Sequence, residues 1–185
     1  MIFFVYGTLM DPELRRAVFG ARAGELRVTP GVLLHHERRT AACGPLPVVV
    51  PRPGGRVPGL FVENLDPELL LWMAHFEGPA YLPARVTARD RTGRRLRPWI
   101  FAPFRTPAVR RGDWDLRHWQ MVHKPEVRRE VNDWMLAARP GRPLALDVGW
   151  LGRRRLHAVL AAGDDQPRPN PEPAPTANEG VTLAA

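Results

Sequence analysis

Short apolar runs separated by proline- and glycine-rich breaks make up most of this chain, and the first of them sets the pattern. Ile2-Phe3-Phe4-Val5-Tyr6 is continuously apolar or aromatic and stops at Gly7, and Asp11-Pro12-Glu13-Leu14 follows within a few residues. The run predicts a buried strand. The second motif predicts a helix start: aspartate can accept from free N–H groups, proline tolerates the first helical position, and glutamate suits the positive end of the dipole. Leu14, Ala17 and Val18 give that helix one apolar face, and Gly20 is its expected stop. A strand that ends in a glycine turn and passes into a helix leaves backbone N–H groups facing a common space, suited to an oxyanion or a carboxylate.

The same reading continues along the chain. Residues 32–35 read as a strand running into the charged stretch 36–39. Pro45 and Pro47 flank a loop before the β-branched run 48–50, residues 51–55 (Pro-Arg-Pro-Gly-Gly) read as a turn, and residues 57–62 read as a further strand. Gly59 inside that strand predicts a bulge or the close approach of another group. Asp66-Pro67-Glu68-Leu69 repeats the helix-start chemistry. Leu69, Trp72, Met73 and Phe76 then follow at helical spacing, and Gly78-Pro79 closes the segment. Residues 85–89 and 95–102, joined through Thr92-Gly93, predict a hairpin with a longer loop. A short helix is expected over 114–120, and another from Lys124, with Val127, Val131, Trp134 and Met135 as its buried face. Residues 144–160 fit either helix or strand. Residues 164–185 are polar, proline-rich and aperiodic, and are expected to be a disordered tail behind a single domain of residues 1–163.

Composition narrows the function classes. The formal net charge of +8 invites a nucleic-acid reading, but the basic residues are 26 arginines and a single lysine, Lys124, scattered in short clusters amid abundant alanine, proline and glycine. That is the signature of a solvated basic surface, and no nucleic-acid partner is expected. Nothing resembles a membrane span, and the N-terminal apolar run is too short for a signal-peptide core, so a cytoplasmic protein is expected. Cys43 is the only cysteine, which excludes an intramolecular disulfide and a cysteine zinc site.

The chain contains no serine, so a serine nucleophile and its triad are excluded. No Walker or dinucleotide glycine loop is present. His35, His36 and Glu37 are adjacent, and neighbours on a strand point to opposite faces, which argues against a metal site; none is expected, and no cofactor. Cys43 could serve as a thiol nucleophile, but its proline-rich loop shows no sign of activation. Glu77 is different. It follows an apolar ridge at a helix C-terminus, where the dipole and partial burial both raise a carboxyl pKa above its usual value of about 4.3, toward the range of a general base. By position alone the better reading is a surface glutamate that merely ends a helix.

Val5-Tyr6-Gly7-Thr8-Leu9, paired with Phe76-Glu77-Gly78-Pro79-Ala80-Tyr81 farther along, resembles the gamma-glutamylcyclotransferase-like superfamily, in particular its compact gamma-glutamylamine cyclotransferase and plant avirulence-induced branch. Val57-Pro58-Gly59-Leu60-Phe61 and the Asp66-Pro67 helix start fit the same pattern, and the resemblance covers residues 2–104, with 105–163 as a helical extension. It implies an α+β fold on a small, curved, barrel-like mixed sheet with flanking helices. It also implies a small-molecule gamma-glutamyl substrate held by Tyr6, Gly7, Thr8, Leu9 and Tyr81, with Glu77 as acid/base and 5-oxoproline as product. Two positions depart from the pattern: Ala74 stands where an acidic residue is frequent, and Pro83 where an arginine is frequent, with Arg85 nearby. The competing expectation is a non-catalytic member of the fold that binds a protein or acidic ligand through its basic, tryptophan-rich 105–163 segment.

Overall fold

The structure, a computed structural model, describes residues 1–105, 108–138 and 158–161. Eight strands form one curled, half-barrel sheet: β1 (Phe3–Val5), β2 (Arg27–Ala41), β3 (Pro47–Glu63), β4 (Tyr81–Arg85), β5 (Ala88–Asp90), β6 (Arg95–Leu96), β7 (Trp99–Pro103) and β8 (Val109–Asp113). Their order is β4-β7-β1-β3-β2-β5-β6, with β8 paired to β2. The β1–β7 pair is parallel and the other pairs are antiparallel, so the sheet is mixed. Helices α1 (Pro12–Phe19), α2 (Pro67–Glu77), α3 (Leu116–Val122) and α4 (Lys124–Ala138) flank it. This is the α+β architecture expected from the sequence.

The apolar N-terminal run is central because both of its faces are buried. Phe3 and Val5 point toward the helices and join Val18, Phe19, Leu69, Leu70 and Met73. Phe4 and Tyr6 point into the hollow of the sheet with Leu33, Val57, Phe61 and Ile100. A strand covered on both sides reads as a continuous apolar run, as this one does. Phe3 stacks on Phe101 at 5.4 Å, and Phe4 meets Phe61 edge-on at 5.2 Å. Each fully buried aromatic contributes about 1.5–3 kcal/mol by removal from water. Gly59 shows the predicted close approach: a Cβ there would lie 2.5 Å from the Phe4 ring and from the Val5 carbonyl oxygen.

Both Asp-Pro-Glu-Leu motifs start helices as expected. Asp11 accepts from the N–H groups of Glu13 and Leu14, and Asp66 accepts from that of Leu69. Three local expectations are corrected. Residues 51–55 do not turn the chain back; β3 runs through them, and Arg52 to Gly55 bulge opposite the single residue His35. Proline and glycine chemistry serves an exposed bulge as well as a turn. The predicted hairpin is shorter and broken: β5 pairs with β6, while β4 and β7 pair with each other beyond it. Trp134, expected in the buried face of α4, is 54 % exposed, whereas Met135 is fully buried.

The segment 144–160 falls outside the described residues except for a helical turn at 158–161, whose Val159 is buried in the main core. The tail 164–185 lies wholly outside them. Among the described residues, no helix is long and apolar enough to cross a membrane.

Candidate active site

The site is built from the turn that follows β1. The Tyr6 hydroxyl donates to the Phe101 carbonyl on β7 at 2.8 Å, so the phenol is committed to the sheet, and burial holds it protonated. Thr8 to Met10 then form one 3-10 turn, closed by the Met10 and Asp11 N–H groups on the Gly7 and Thr8 carbonyls. Gly7 is required by a neighbour, because a Cβ there would fall 2.4 Å from Pro47 Cγ. Two arginines hold the carbonyl side of the turn. Arg38 donates to the Tyr6 carbonyl at 2.8 Å, and Arg15 donates to those of Leu9 and Met10 at 2.8 and 2.9 Å. The N–H groups of Gly7, Thr8 and Leu9 find no protein acceptor among the described residues, nor does the Thr8 hydroxyl, although Thr8 is 7 % exposed.

Glu77 is the last residue of α2, and the N–H of Gly78 caps that helix on the Ala74 carbonyl at 3.0 Å. Protein atoms crowd the Glu77 carboxyl, while part of its surface stays open to a cavity. Among the described residues it has no hydrogen-bond donor and no ion-pair partner. Burial alone therefore pushes its pKa up, from 4.5 to about 8. Tyr81, at the start of β4, is pushed up to about 12 by burial, by the nearby Glu77 charge and by Cys43. Its hydroxyl thus stays a hydrogen-bond donor across the ordinary pH range.

A cavity of about 630 Å³ brings these groups together. Tyr6, Gly7, Thr8, Leu9, Glu77 and Tyr81, the six residues singled out from the sequence, all line it. Sequence reasoning missed the rest of the wall. The turn from Cys43 to Pro47 closes one side, held by a bond from Trp114 Nε1 to the Pro45 carbonyl at 2.9 Å. Helix α4 closes another with Val127, Val131, Glu126, Glu130 and the exposed Trp134, whose ring lies 5.2 Å from that of His75. Arg15 and Arg38 were also missed: both are partly buried under the turn and are not part of a solvated surface. The two departures from the family pattern lie elsewhere. Neither Ala74 nor Pro83 lines the cavity, and Arg85 stacks over Trp99 at 4.3 Å.

Chemically, the cavity offers a free carboxyl of raised pKa, backbone N–H donors on a rigid turn, a neutral phenol and apolar walls. Comparison with known proteins shows the family and the fold. The family described as gamma-glutamyl cyclotransferase, AIG2-like, matches residues 3–116. Two Arabidopsis thaliana proteins with solution structures share the fold. At3g28950.1 has 20 % identity and a TM-score of 0.53, over 78 % of this chain and 93 % of its own. At5g39720.1 has 19 % identity and a TM-score of 0.52, over 77 % and 93 %. A comparison with curated proteins finds no match. The family match runs through the turn after β1, the Glu77 helix and all eight strands, and on it the chain belongs to the gamma-glutamyl cyclotransferase, AIG2-like family.

Proposed function

We propose that this protein is a gamma-glutamyl cyclotransferase in which Glu77 moves the protons and the Gly7–Leu9 turn holds the substrate. The observation that carries the reading is the unpartnered Glu77 carboxyl, in the same cavity as the free N–H groups of that turn.

A gamma-glutamyl amide contains its own nucleophile, the α-amine, within reach of the side-chain amide carbonyl. The amine is largely protonated near neutrality and must lose a proton before it attacks. A base of ordinary carboxyl pKa would be poorly matched to an ammonium group; one near 8 is well matched. The Glu77 carboxylate takes one ammonium proton, the freed amine adds to the amide carbon, and the carbonyl oxygen becomes an oxyanion. Glu77 returns the proton to the amide nitrogen, the carbon–nitrogen bond breaks, and the oxyanion collapses to the lactam. The lactam nitrogen sheds its second surplus proton, and the departing amine leaves as an ammonium ion. The products are 5-oxoproline and a free amine, with Glu77 restored.

The turn supports both ends of this sequence. Its N–H groups can donate to the substrate carboxylate or the developing oxyanion, and the Arg15 and Arg38 bonds fix their direction before substrate arrives. Ring closure is intramolecular, so holding the folded conformer supplies much of the rate. The Tyr81 hydroxyl is the further donor within the cavity.

Product analysis tests the reaction class. Incubation of a gamma-glutamyl amide panel in ¹⁸O-water is expected to give 5-oxoproline without ¹⁸O. Labelled glutamate in its place would mean hydrolysis and would overturn the proposal.

A further inference from the structure

Two walls of the cavity are tied together by a side chain that does not itself face it. Trp114 is 4 % exposed and is not among the residues that line the large cavity. The chain around it is fixed on both sides. Asp113 lies in register with Arg39, which pairs β8 with β2, and Asp115 accepts from the His118 N–H at 2.7 Å and caps α3. The ring packs beside Trp119, with centroids 6.2 Å apart, in the same small core as Leu14.

From this place the indole reaches each wall with a different part of itself. Its edge donates from Nε1 to the Pro45 carbonyl at 2.9 Å, within the Cys43–Pro47 wall. Its face carries Arg38, whose Cζ lies 5.1 Å from the ring centroid. Arg38 in turn donates to the Tyr6 carbonyl at 2.8 Å and to the Pro58 carbonyl at 3.4 Å. Among the described residues no carboxylate pairs with this half-buried guanidinium, so carbonyl oxygens and the aromatic face are what orient it. A chain of contacts thus runs from the turn after β1 through Arg38 and Trp114 to Pro45. The turn and the wall also abut directly, at Gly7 and Pro47, so a shift of either is felt by the other. Trp119 offers the contrast. It is 1 % exposed and its Nε1 has no acceptor, so this core accepts an indole for its bulk alone, and the bond from Trp114 serves the wall.

We propose that Trp114 is a positioning residue: through Arg38 it sets the turn, through Pro45 it sets the Cys43–Pro47 wall, and so it fixes the spacing of two surfaces that enclose the substrate. The kinetic consequence rests on the cyclotransferase reading given above; the mechanical link between the walls does not.

Trp114→Phe keeps a ring under Arg38 and removes the N–H. KM is expected to rise roughly threefold to tenfold, the effect of one lost hydrogen bond, while kcat and the rising pH limb stay in place because Glu77 is untouched. A purely structural role would lower the melting temperature and leave KM where it was. That result, or a fall in kcat at constant KM, would overturn the inference. Trp114→Leu and Arg38→Met complete a double-mutant cycle. With both walls held through one indole, the double variant should raise KM less than the product of the single effects, by roughly threefold or more; independent, multiplying effects would count against the link.

A nitroxide on Cys43, the only cysteine and exposed on the wall, reads the link without substrate. Its electron paramagnetic resonance spectrum should sharpen in Trp114→Phe as the wall gains freedom, and a spectrum identical to that of the labelled native protein would overturn the proposal. A label freed in Trp114→Phe, in a native protein that releases no 5-oxoproline from any amide, would sink the cyclotransferase reading and leave the link standing. Native turnover with neither KM nor label moved would remove Trp114 alone.

Discussion

Lys124, the only lysine in the chain, reaches the fully buried carboxylate of Asp11 at 3.0 Å. The pair joins the start of α4 to the residue that ends the turn after β1 and caps α1, so one contact fixes two walls of the cavity relative to each other. Gln120 adds a bond to the same carboxylate at 2.8 Å, and Lys124 also meets Glu13 at 2.9 Å. Burial alone would raise the Asp11 pKa, but the bonds from Gln120 and Lys124 outweigh it and hold it below its usual value.

Lys124→Met is therefore expected to destabilise the protein by about 1–3 kcal/mol, because Asp11 keeps its N-cap and Gln120 bonds but loses its cation. Denaturant titration measures this. The folded pKa of Asp11 lies below the unfolded one, so its contribution is present above pH 3.8 and is lost on acidification below that value. An undiminished midpoint in Lys124→Met would remove the pair from the account of how α4 is held.

The raised pKa of Glu77 predicts a specific pH profile. In the free enzyme kcat/KM should climb tenfold per unit toward about pH 8, then fall as the substrate ammonium deprotonates. A rising limb centred near 4.5 would place the base elsewhere. Stability follows with the opposite slope: the fold favours protonated Glu77, so its contribution is complete below pH 4.5 and lost as pH rises through 8. Glu77→Gln should thus melt progressively higher than the native protein between pH 5 and 9.

Gly7→Ala forces a methyl into Pro47, at 2.4 Å in the present geometry. A shift of the turn or of the Cys43–Pro47 wall must follow, at about 1–3 kcal/mol. Since both surfaces line the cavity, KM should rise together with the fall in stability; thermal melts and steady-state kinetics read the two.

Tyr81→Phe keeps the ring and removes the one phenol hydroxyl of the cavity that is not bonded to the sheet. A drop in kcat/KM of roughly tenfold, with the pH limb unmoved, is the expected outcome. Tyr6→Phe should instead lower stability, because its hydroxyl serves Phe101.

Much of the fold was legible because its local chemistry is unambiguous. Asp11 and Asp66 cap helices in the way their Asp-Pro-Glu-Leu contexts require, and a strand apolar on both faces belongs in the middle of a sheet. Residues 51–55 misled because proline and glycine suit a bulge and a turn equally. Arg15 and Arg38 were hidden among the other arginines, with no local signal to separate a guanidinium under a turn from one in water. The α4 wall was out of reach for another reason. Glu126 and Glu130 come to line the same cavity as Glu77 only through tertiary packing across about fifty residues of chain, and helical spacing predicts which face of α4 is apolar without saying what it covers.

The most direct test of the central claim is the rate of 5-oxoproline release by Glu77→Gln against the native protein, with matching circular dichroism. The isosteric amide keeps the packing at the end of α2 and cannot carry the proton, so a fall of roughly 10²- to 10⁴-fold is expected. Release at the native rate would contradict the claim.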